Sequence, residues 1–253
     1  MPVYSNLADQ TKTFPAGVVV ADFNKDLNPD LAVAATVNGN GKAIILSGDG
    51  AGGFGAPSEF SAGISPTRIV AGDFDHDGTG NLDLVVTNRL TNKVSLLLGN
   101  GDGSFNAPSP FNVGDDPNRT YDPIALASGD FNNDNFLDLA VADNASSTVS
   151  VLLNSASGGF GAPTLLIVGL QPYSVGLQDF SGDGKPDLIV PNFRDNSVSV
   201  YLGTGSDLFG PASLGLTGRN PVASATEDFN ADGKPDLVIV NRSANSLSLL
   251  IGQ

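Results

Sequence analysis

The chain has 253 residues, 12 basic against 27 acidic for a formal charge of −15, with 31 glycines, 16 prolines and no cysteine. That length suits one large domain with a buried core, while the missing cysteine excludes disulfides and thiolate metal sites and the acidity speaks against nucleic acid or an anionic membrane as partner. No apolar run approaches the roughly 20 residues of a membrane span, and Met1-Pro2-Val3-Tyr4 does not open a signal peptide.

In chain order, residues 3–9 come first, a short strand with no unit of its own before it. Pro15 then stands seven residues ahead of Asp22, and the pairing returns at Pro66 and Asp73, Pro123 and Asp130, Pro172 and Asp179, and Pro221 and Asp228. The aspartates are 51, 57, 49 and 49 residues apart, a period that marks a repeat array. In the second repeat, strands are expected at 69–72, 82–87, 93–98 and 105–112, the last following the turn Gly99-Asn100-Gly101-Asp102-Gly103. The middle strands are apolar on both faces (Leu84, Val85, Val86; Leu96, Leu97, Leu98), which implies sheets covered on both sides. Blades stacked around an axis provide that cover. The chain stops at Leu249-Leu250-Ile251-Gly252, just after a third strand, and residues 3–9 stand where a fourth would. The expected fold is all-β: one domain over 1–253, a five-bladed β-propeller of four-stranded antiparallel blades, its ring closed by the N-terminal strand completing the last blade. Five units at the mean spacing need about 257 residues, close to the number present.

Each repeat opens on oxygen-bearing side chains at positions one, three, five and nine, a spacing that wraps a hard cation; calcium takes six to eight oxygens at roughly 2.3–2.6 Å, and a glycine at position six permits the sharp turn. Loop one (22–30) offers Asp22, Asn24, Asp26 and Asp30. Loop two (73–83) offers Asp73, Asp75, Asp77 and, after a two-residue insertion, Asp83, with Asn81 beside it. Loop three (130–138) has Asp130, Asn132, Asp134 and Asp138; loop four (179–187) has Asp179, Ser181, Asp183 and Asp187; loop five (228–236) has Asp228, Asn230, Asp232 and Asp236. Asn28, Phe136, Lys185 and Lys234 stand at position seven, as carbonyl ligands. Leu27 and Asn135 replace the glycine of position six, and leucine tolerates a left-handed backbone poorly, so loop one ranks weakest; the insertion makes loop two geometrically irregular. An EF-hand would need flanking helices and a glutamate at position twelve, while Asx turns satisfying their own backbone are the plainer alternative. Up to five Ca2+ are expected. Sixteen of the acidic residues lie in these loops, and five divalent ions would bring −15 to −5.

The Asp-x-Asp-x-Asp-Gly-x-x-Asp unit, with Phe54-Gly55-Ala56-Pro57, Phe105-Asn106-Ala107-Pro108 and Phe160-Gly161-Ala162-Pro163, resembles the FG-GAP (VCBS-type) repeat of bacterial surface proteins and of the integrin α-subunit head. The resemblance implies a β-propeller with calcium between the first and second strands of each blade. Integrin heads have seven blades, so five is a departure.

All six arginines map away from the metal loops: Arg89, Arg194 and Arg242 follow second strands, and Arg68, Arg119 and Arg219 enter new repeats. Tyr121, Tyr173 and Phe193 lie beside them, Tyr121 in the expansion 114–121. Guanidinium forks suit carboxylates, so these nine residues form the candidate ligand site; the alternative is rim ion pairs with Asp122, Asp143 and Asp195. Asn88, Asn144, Asn192 and Asn241 at second-strand ends read as turn caps, and Phe23, Phe74, Phe131, Phe180 and Phe229 as core between blades. Catalysis has little support: the single histidine, His76, sits mid-loop, and no Gly-x-Ser-x-Gly elbow or phosphate loop occurs. The expectation is a monomeric binding or adhesion module, secreted or on the cell surface with its export signal outside this sequence, taking a carbohydrate or protein ligand of anionic character; zero tryptophan weakens the lectin version. A polysaccharide lyase and a structural spacer are the alternatives.

Overall fold

The computed structural model describes residues 13–155, 158–206 and 208–252; the closing strand expected at 3–9 lies outside them. The chain divides into two compact units, one of residues up to Asn112 together with Ser155–Gly159, the other of Val113–Asn154 and Phe160 onward.

The first unit holds two antiparallel sheets. One is ordered β1 (Thr13–Ala21), β2 (Asp30–Val37), β3 (Asn40–Leu46), β4 (Ser58–Gly63); the next is β5 (Pro66–Gly72), β6 (Asp83–Asn88), β7 (Lys93–Leu97), β8 (Ser109–Asn112). The second unit holds three. β9 (Pro123–Gly129), β10 (Asp138–Asp143) and β11 (Thr148–Leu152) are joined by β14 (Thr164–Ile167), after the small ribbon β12 (Asn154–Ser155) and β13 (Gly159–Phe160). β15 (Gly176–Gln178), β16 (Asp187–Asn192), β17 (Ser197–Gly203) and β18 (Phe209–Leu216) form the fourth sheet; β19 (Pro221–Glu227), β20 (Asp236–Asn241) and β21 (Ser246–Leu250) form a fifth of three strands. The only helix among the described residues is a single 3-10 turn, Arg89–Thr91. The expected strands of the second repeat shift by a residue or more: Phe105 makes only an isolated bridge to Gly99, and the fourth strand begins at Ser109.

In the fourth sheet the middle strands are apolar on both faces because each face meets a different sheet. In the second unit Leu188, Val190 and Tyr201 pack with Ala140, Ala142, Val149 and Val151, while Ile189, Val198 and Val200, one residue out of phase, pack with Leu237 and Ile239. The period of two along a strand makes this division automatic. In the first unit Ala32, Ala34, Ala43 and Ile45 meet Leu84, Val86 and Leu97 in the same manner.

The recurring prolines sit where a sheet edge tolerates a missing N–H. Each lies opposite the last residue of the motif on the second strand: Pro15 on Ala35, Pro66 on Asn88, Pro123 on Asp143, Pro172 on Asn192 and Pro221 on Asn241. The third-repeat counterpart of the asparagines is therefore Asp143, not Asn144; two adjacent polar residues hid the register. The phenylalanine expectation holds for Phe23, Phe74 and Phe131, exposed by 2% or less, but Phe180 is half-buried and Phe229 is 51% exposed.

Candidate metal loops

Every candidate loop joins the first strand of a sheet to the second, and its closing aspartate, Asp30, Asp83, Asp138, Asp187 or Asp236, opens the second strand with at most 1% exposure. That burial is tolerated because both carboxylate oxygens accept backbone N–H groups. One oxygen takes the N–H of the phenylalanine at position two, at 2.8–3.0 Å in all five loops. The other takes the N–H of a residue at or just past the end of the third strand: Gly48, Gly99, Asn154, Gly203 or Gly252, at 2.7–2.9 Å. Four of these are glycines for a steric reason: a Cβ on Gly48, Gly99, Gly203 or Gly252 would come within 2.1–2.4 Å of the position-eight carbonyl, or its counterpart Leu82 in loop two.

The position-one aspartates gather the loop around themselves. Asp179 accepts the N–H groups of Gly182, Asp183 and Gly184 at 2.7–3.0 Å, and Asp22, Asp130 and Asp228 each take those of positions five and six. Asp26, Asp134, Asp183 and Asp232 accept the N–H of position seven. To do so the backbone turns left-handed twice. Position six has φ of 69–85° throughout, including Leu27 and Asn135, and position four has φ of 48–74°. Leu27 keeps its side chain 91% exposed, so the replacement of glycine costs backbone strain and no packing. Position four escaped sequence reasoning because Lys25, His76, Asn133, Gly182 and Ala231 share no side-chain chemistry.

Loop two, irregular in sequence, brings its carboxylates closest. Ligand oxygens of Asp73, Asp75 and Asp83 lie within 4.8 Å of one another, the one such acidic group among the described residues. Asp77 instead accepts Thr79 Oγ1 at 2.6 Å and Thr79 N–H at 2.8 Å. Burial pushes the Asp83 carboxyl up to about 6 against the N–H groups of Gly99 and Phe74 that hold it down; burial chiefly, and then the charges of Asp77 and Asp73, raise Asp75. An all-oxygen set with crowded carboxylates fits a hard divalent cation, which would supply the missing counter-charge. In the other loops no three acidic ligand oxygens come that close among the described residues, and the turns are held by backbone N–H donors to the aspartates instead.

Loops one to three are also roofed by the turn that follows the third strand of the next sheet. In the first unit Gly103 N–H donates to Phe23 O at 3.1 Å, and Gly158 lies so near loop two that a Cβ would stand 2.9 Å from Asp75 Cβ. In the second, Gly205 sits over loop three, where a Cβ would meet Asn133 Nδ2 at 2.5 Å.

At the strand ends away from the loops, all six arginines are exposed. In the first unit Arg68 donates to Ala16 O at 3.2 Å and Thr67 O at 3.1 Å, and Arg89 sends its backbone N–H to Ser65 O. In the second, Tyr173 and Phe193 stack at 5.4 Å and 28°, held by Tyr173 N–H to Pro191 O and Phe193 N–H to Gln171 O, with Arg194 N–H on Leu170 O. Arg219 and Arg242 share a neighbouring pair of turns, Arg242 N–H on Asn220 O and Ser243 N–H on Arg219 O. Tyr121 departs from its expected place on the ligand surface: it is fully buried, its hydroxyl donating to Asp115 Oδ1 at 2.6 Å and accepting the N–H groups of Asp115 and Asp116. It pins the 114–121 expansion, with Arg119 over its ring at 5.6 Å and on Ser146 O. Two of the aspartates expected as rim ion partners are engaged otherwise: Asp195 accepts Leu170 N–H and Asp143 accepts Ser150 Oγ at 2.6 Å.

Asp143, read from the sequence as a rim residue, belongs to the core. It is fully buried, Oδ1 has no partner, and burial pushes its carboxyl up to about 7, against the Ser150 and Thr148 hydroxyls and the Arg119 charge. A raised carboxyl makes the fold bind a proton that the unfolded chain releases, so stability is lost as pH rises from about 4 to 7. Asp143→Asn, the residue used in three other repeats, is expected to stabilise at pH 8 by up to about 4 kcal/mol and to do little below pH 4; urea unfolding of both proteins across that range measures it, and a pH-independent difference would overturn it.

The family of FG-GAP-like repeats matches residues 22–79, 76–141, 130–190 and 179–239. No curated protein matches the chain in sequence. Among solved structures it is similar to BBS1N in complex with ARL6DN (15% identity, TM-score 0.62, 98% of this chain and 66% of that one). A lectin of Agrocybe aegerita that recognises non-reducing terminal N-acetylglucosamine follows at 19% identity and TM-score 0.59, over 95% and 66% of the two chains. A streptogramin B lyase gives 13%, 0.62, 94% and 65%. These neighbours are β-propeller proteins, and the chain spans just under two thirds of their length.

Proposed function

Since the chain belongs to the FG-GAP-like repeat family, we propose that it is a calcium-stabilised binding module, secreted or displayed at a cell surface, that recognises a carbohydrate or protein ligand through the rim opposite its metal loops. The observation that carries this reading is the second unit's rim. Two stacked aromatics and three exposed arginines project from turns held by backbone hydrogen bonds, and no ion pair or side-chain hydrogen bond engages Arg194, Arg219 or Arg242 among the described residues. Pre-held cations beside an aromatic face suit an anionic ligand. Asp73, Asp75 and Asp83 would hold one calcium, and the corresponding residues of the other loops up to four more. Bound there, the ion would tie the loop to the buried second strand.

The reading includes a ring of five blades, with residues 3–9 as the last blade's fourth strand. Its support lies in the fifth sheet, where Leu247 and Leu249 are 67% and 53% exposed although their counterparts Val198 and Val200 in the fourth are buried; closure gives that face and the β21 edge a cover. A glycan array with and without calcium tests the function. Arg194→Ala combined with Arg242→Ala is expected to lower binding at least tenfold, about 1.4 kcal/mol, with an unchanged melting temperature. Wild-type affinity in the double variant would remove the rim from consideration.

A further inference from the structure

Asn192 ends β16 fully buried, and its Nδ2 donates to Ser197 Oγ at 3.0 Å and Ser199 Oγ at 2.9 Å, while its Oδ1 has no partner among the described residues. An unpaired buried acceptor costs free energy. The first unit shows which donor fits it. There Asn88 donates to Ser95 Oγ in the same way, and its Oδ1 accepts the N–H of Ile64 at 3.0 Å. Ile64 follows Gly63, three residues ahead of Pro66; Leu170 follows Gly169, three ahead of Pro172. Both glycines lie against the asparagine: a Cβ would stand 2.2 Å from Asn88 Oδ1 at Gly63 and 2.7 Å from Asn192 Cγ at Gly169. By position, the donor that matches Asn192 Oδ1 is the N–H of Leu170.

That N–H is engaged elsewhere, donating to Asp195 Oδ2 at 2.6 Å. Asp195 is exposed, on the turn between β16 and β17 that also carries Phe193 and Arg194. Segment 168–172 is fixed on both sides of this bond, by Val168 N–H on Ser147 O, Arg194 N–H on Leu170 O, Phe193 N–H on Gln171 O and Asn144 Nδ2 on Pro172 O, at 2.9–3.2 Å. A rotation of the 169–170 peptide carries the Leu170 N–H from one acceptor to the other and leaves those four bonds in place, and glycine at 169 permits it. The same diversion occurs in the third sheet, where Asp115 N–H donates to the Tyr121 hydroxyl and Asp143 Oδ1 is without a partner. Tyr121 is fully buried and stays where it is, whereas the exposed Asp195 can be drawn off. In the fifth sheet Asn241 Oδ1 is also unpartnered, and the place of Asp195 falls on Ala244, which offers no second acceptor.

We propose that segment 168–172 is a two-position strap, its Leu170 N–H resting on Asp195 in one position and on Asn192 Oδ1 in the other. Each exchange keeps the number of hydrogen bonds, so the two positions lie close in free energy and a modest bias selects between them. A group that engages the Asp195 carboxylate leaves no N–H unpaired, because Asn192 receives it. The strap thereby sets whether the carboxylate next to Arg194 is tied to the backbone or free. Its bearing on ligand binding rests on the rim reading given above; the exchange itself does not.

Nuclear magnetic resonance of the full chain tests the strap at one amide, through the scalar coupling that crosses a hydrogen bond. In the wild type that coupling is expected to join Leu170 N to the carboxylate carbon of Asp195. In Asp195→Ala it is expected to join Leu170 N to the side-chain carbonyl carbon of Asn192, with hydrogen exchange at Leu170 within about threefold of wild type and an unchanged melting curve. A Leu170 amide that exchanges roughly tenfold faster or more in Asp195→Ala, or that shows no coupling to Asn192, overturns the proposal. The two readings fail separately. A glycan array without binding removes the rim and leaves the Leu170 result standing, and a Leu170 amide that finds no second acceptor removes the strap while rim binding stands.

Discussion

Addition of a chelator to calcium-saturated protein is expected to lower its melting temperature by roughly 5–10 °C for each loop that holds an ion, and restored calcium to return it. Each loop saturated a hundredfold above its dissociation constant contributes about 2.7 kcal/mol, because the ion binds the folded turn and not the unfolded chain. Loop two is expected to respond most. Without an ion, Asp73, Asp75 and Asp83 face one another at close range, and like charges there work against the turn. Differential scanning calorimetry reads the total, and hydrogen exchange over 73–83 reads the local part. Superimposable curves in calcium and chelator would end the calcium reading.

The second large effect needs no metal. Asp187→Ala removes the acceptor of three backbone N–H groups, those of Phe180, Ser181 and Gly203, at a fully buried position. A loss of about 3–5 kcal/mol is expected, measured by urea unfolding in chelator so that ion binding contributes nothing. Asp183→Ala, in the same loop but exposed, is expected to cost less than about 1 kcal/mol under those conditions. If the two variants lose the same amount in chelator, the closing aspartate is no more than another ligand.

The repeat itself was plain in sequence, since five aspartates on one spacing and five prolines seven residues ahead of them impose the same edge strand, turn and buried strand each time. The double role of the closing aspartates was not, because Gly48, Gly99, Asn154, Gly203 and Gly252, whose N–H groups they accept, lie 16–18 residues away, and no local pattern announces such a bond. Counting from Asp138 would have led to Asp143, as counting from Asp187 leads to Asn192; the polar Asn144 alongside drew the eye instead. Tyr121 read as a surface aromatic because its expansion has no counterpart in other repeats, and its burial depends on a hydroxyl bond to Asp115 that only the folded loop creates.

The glycine turns that roof the loops set the smallest piece of this protein that can stand alone. Gly103 belongs to the second repeat and covers the first loop; Gly158 belongs to the third and covers the second. Residues 155–159 accordingly group with the first unit although the chain has already entered the other. A fragment cut at the repeat boundaries would carry a loop whose lid had been left on the discarded piece. Excision or transplantation of repeats should follow the lids, ending each fragment past the turn after the next third strand.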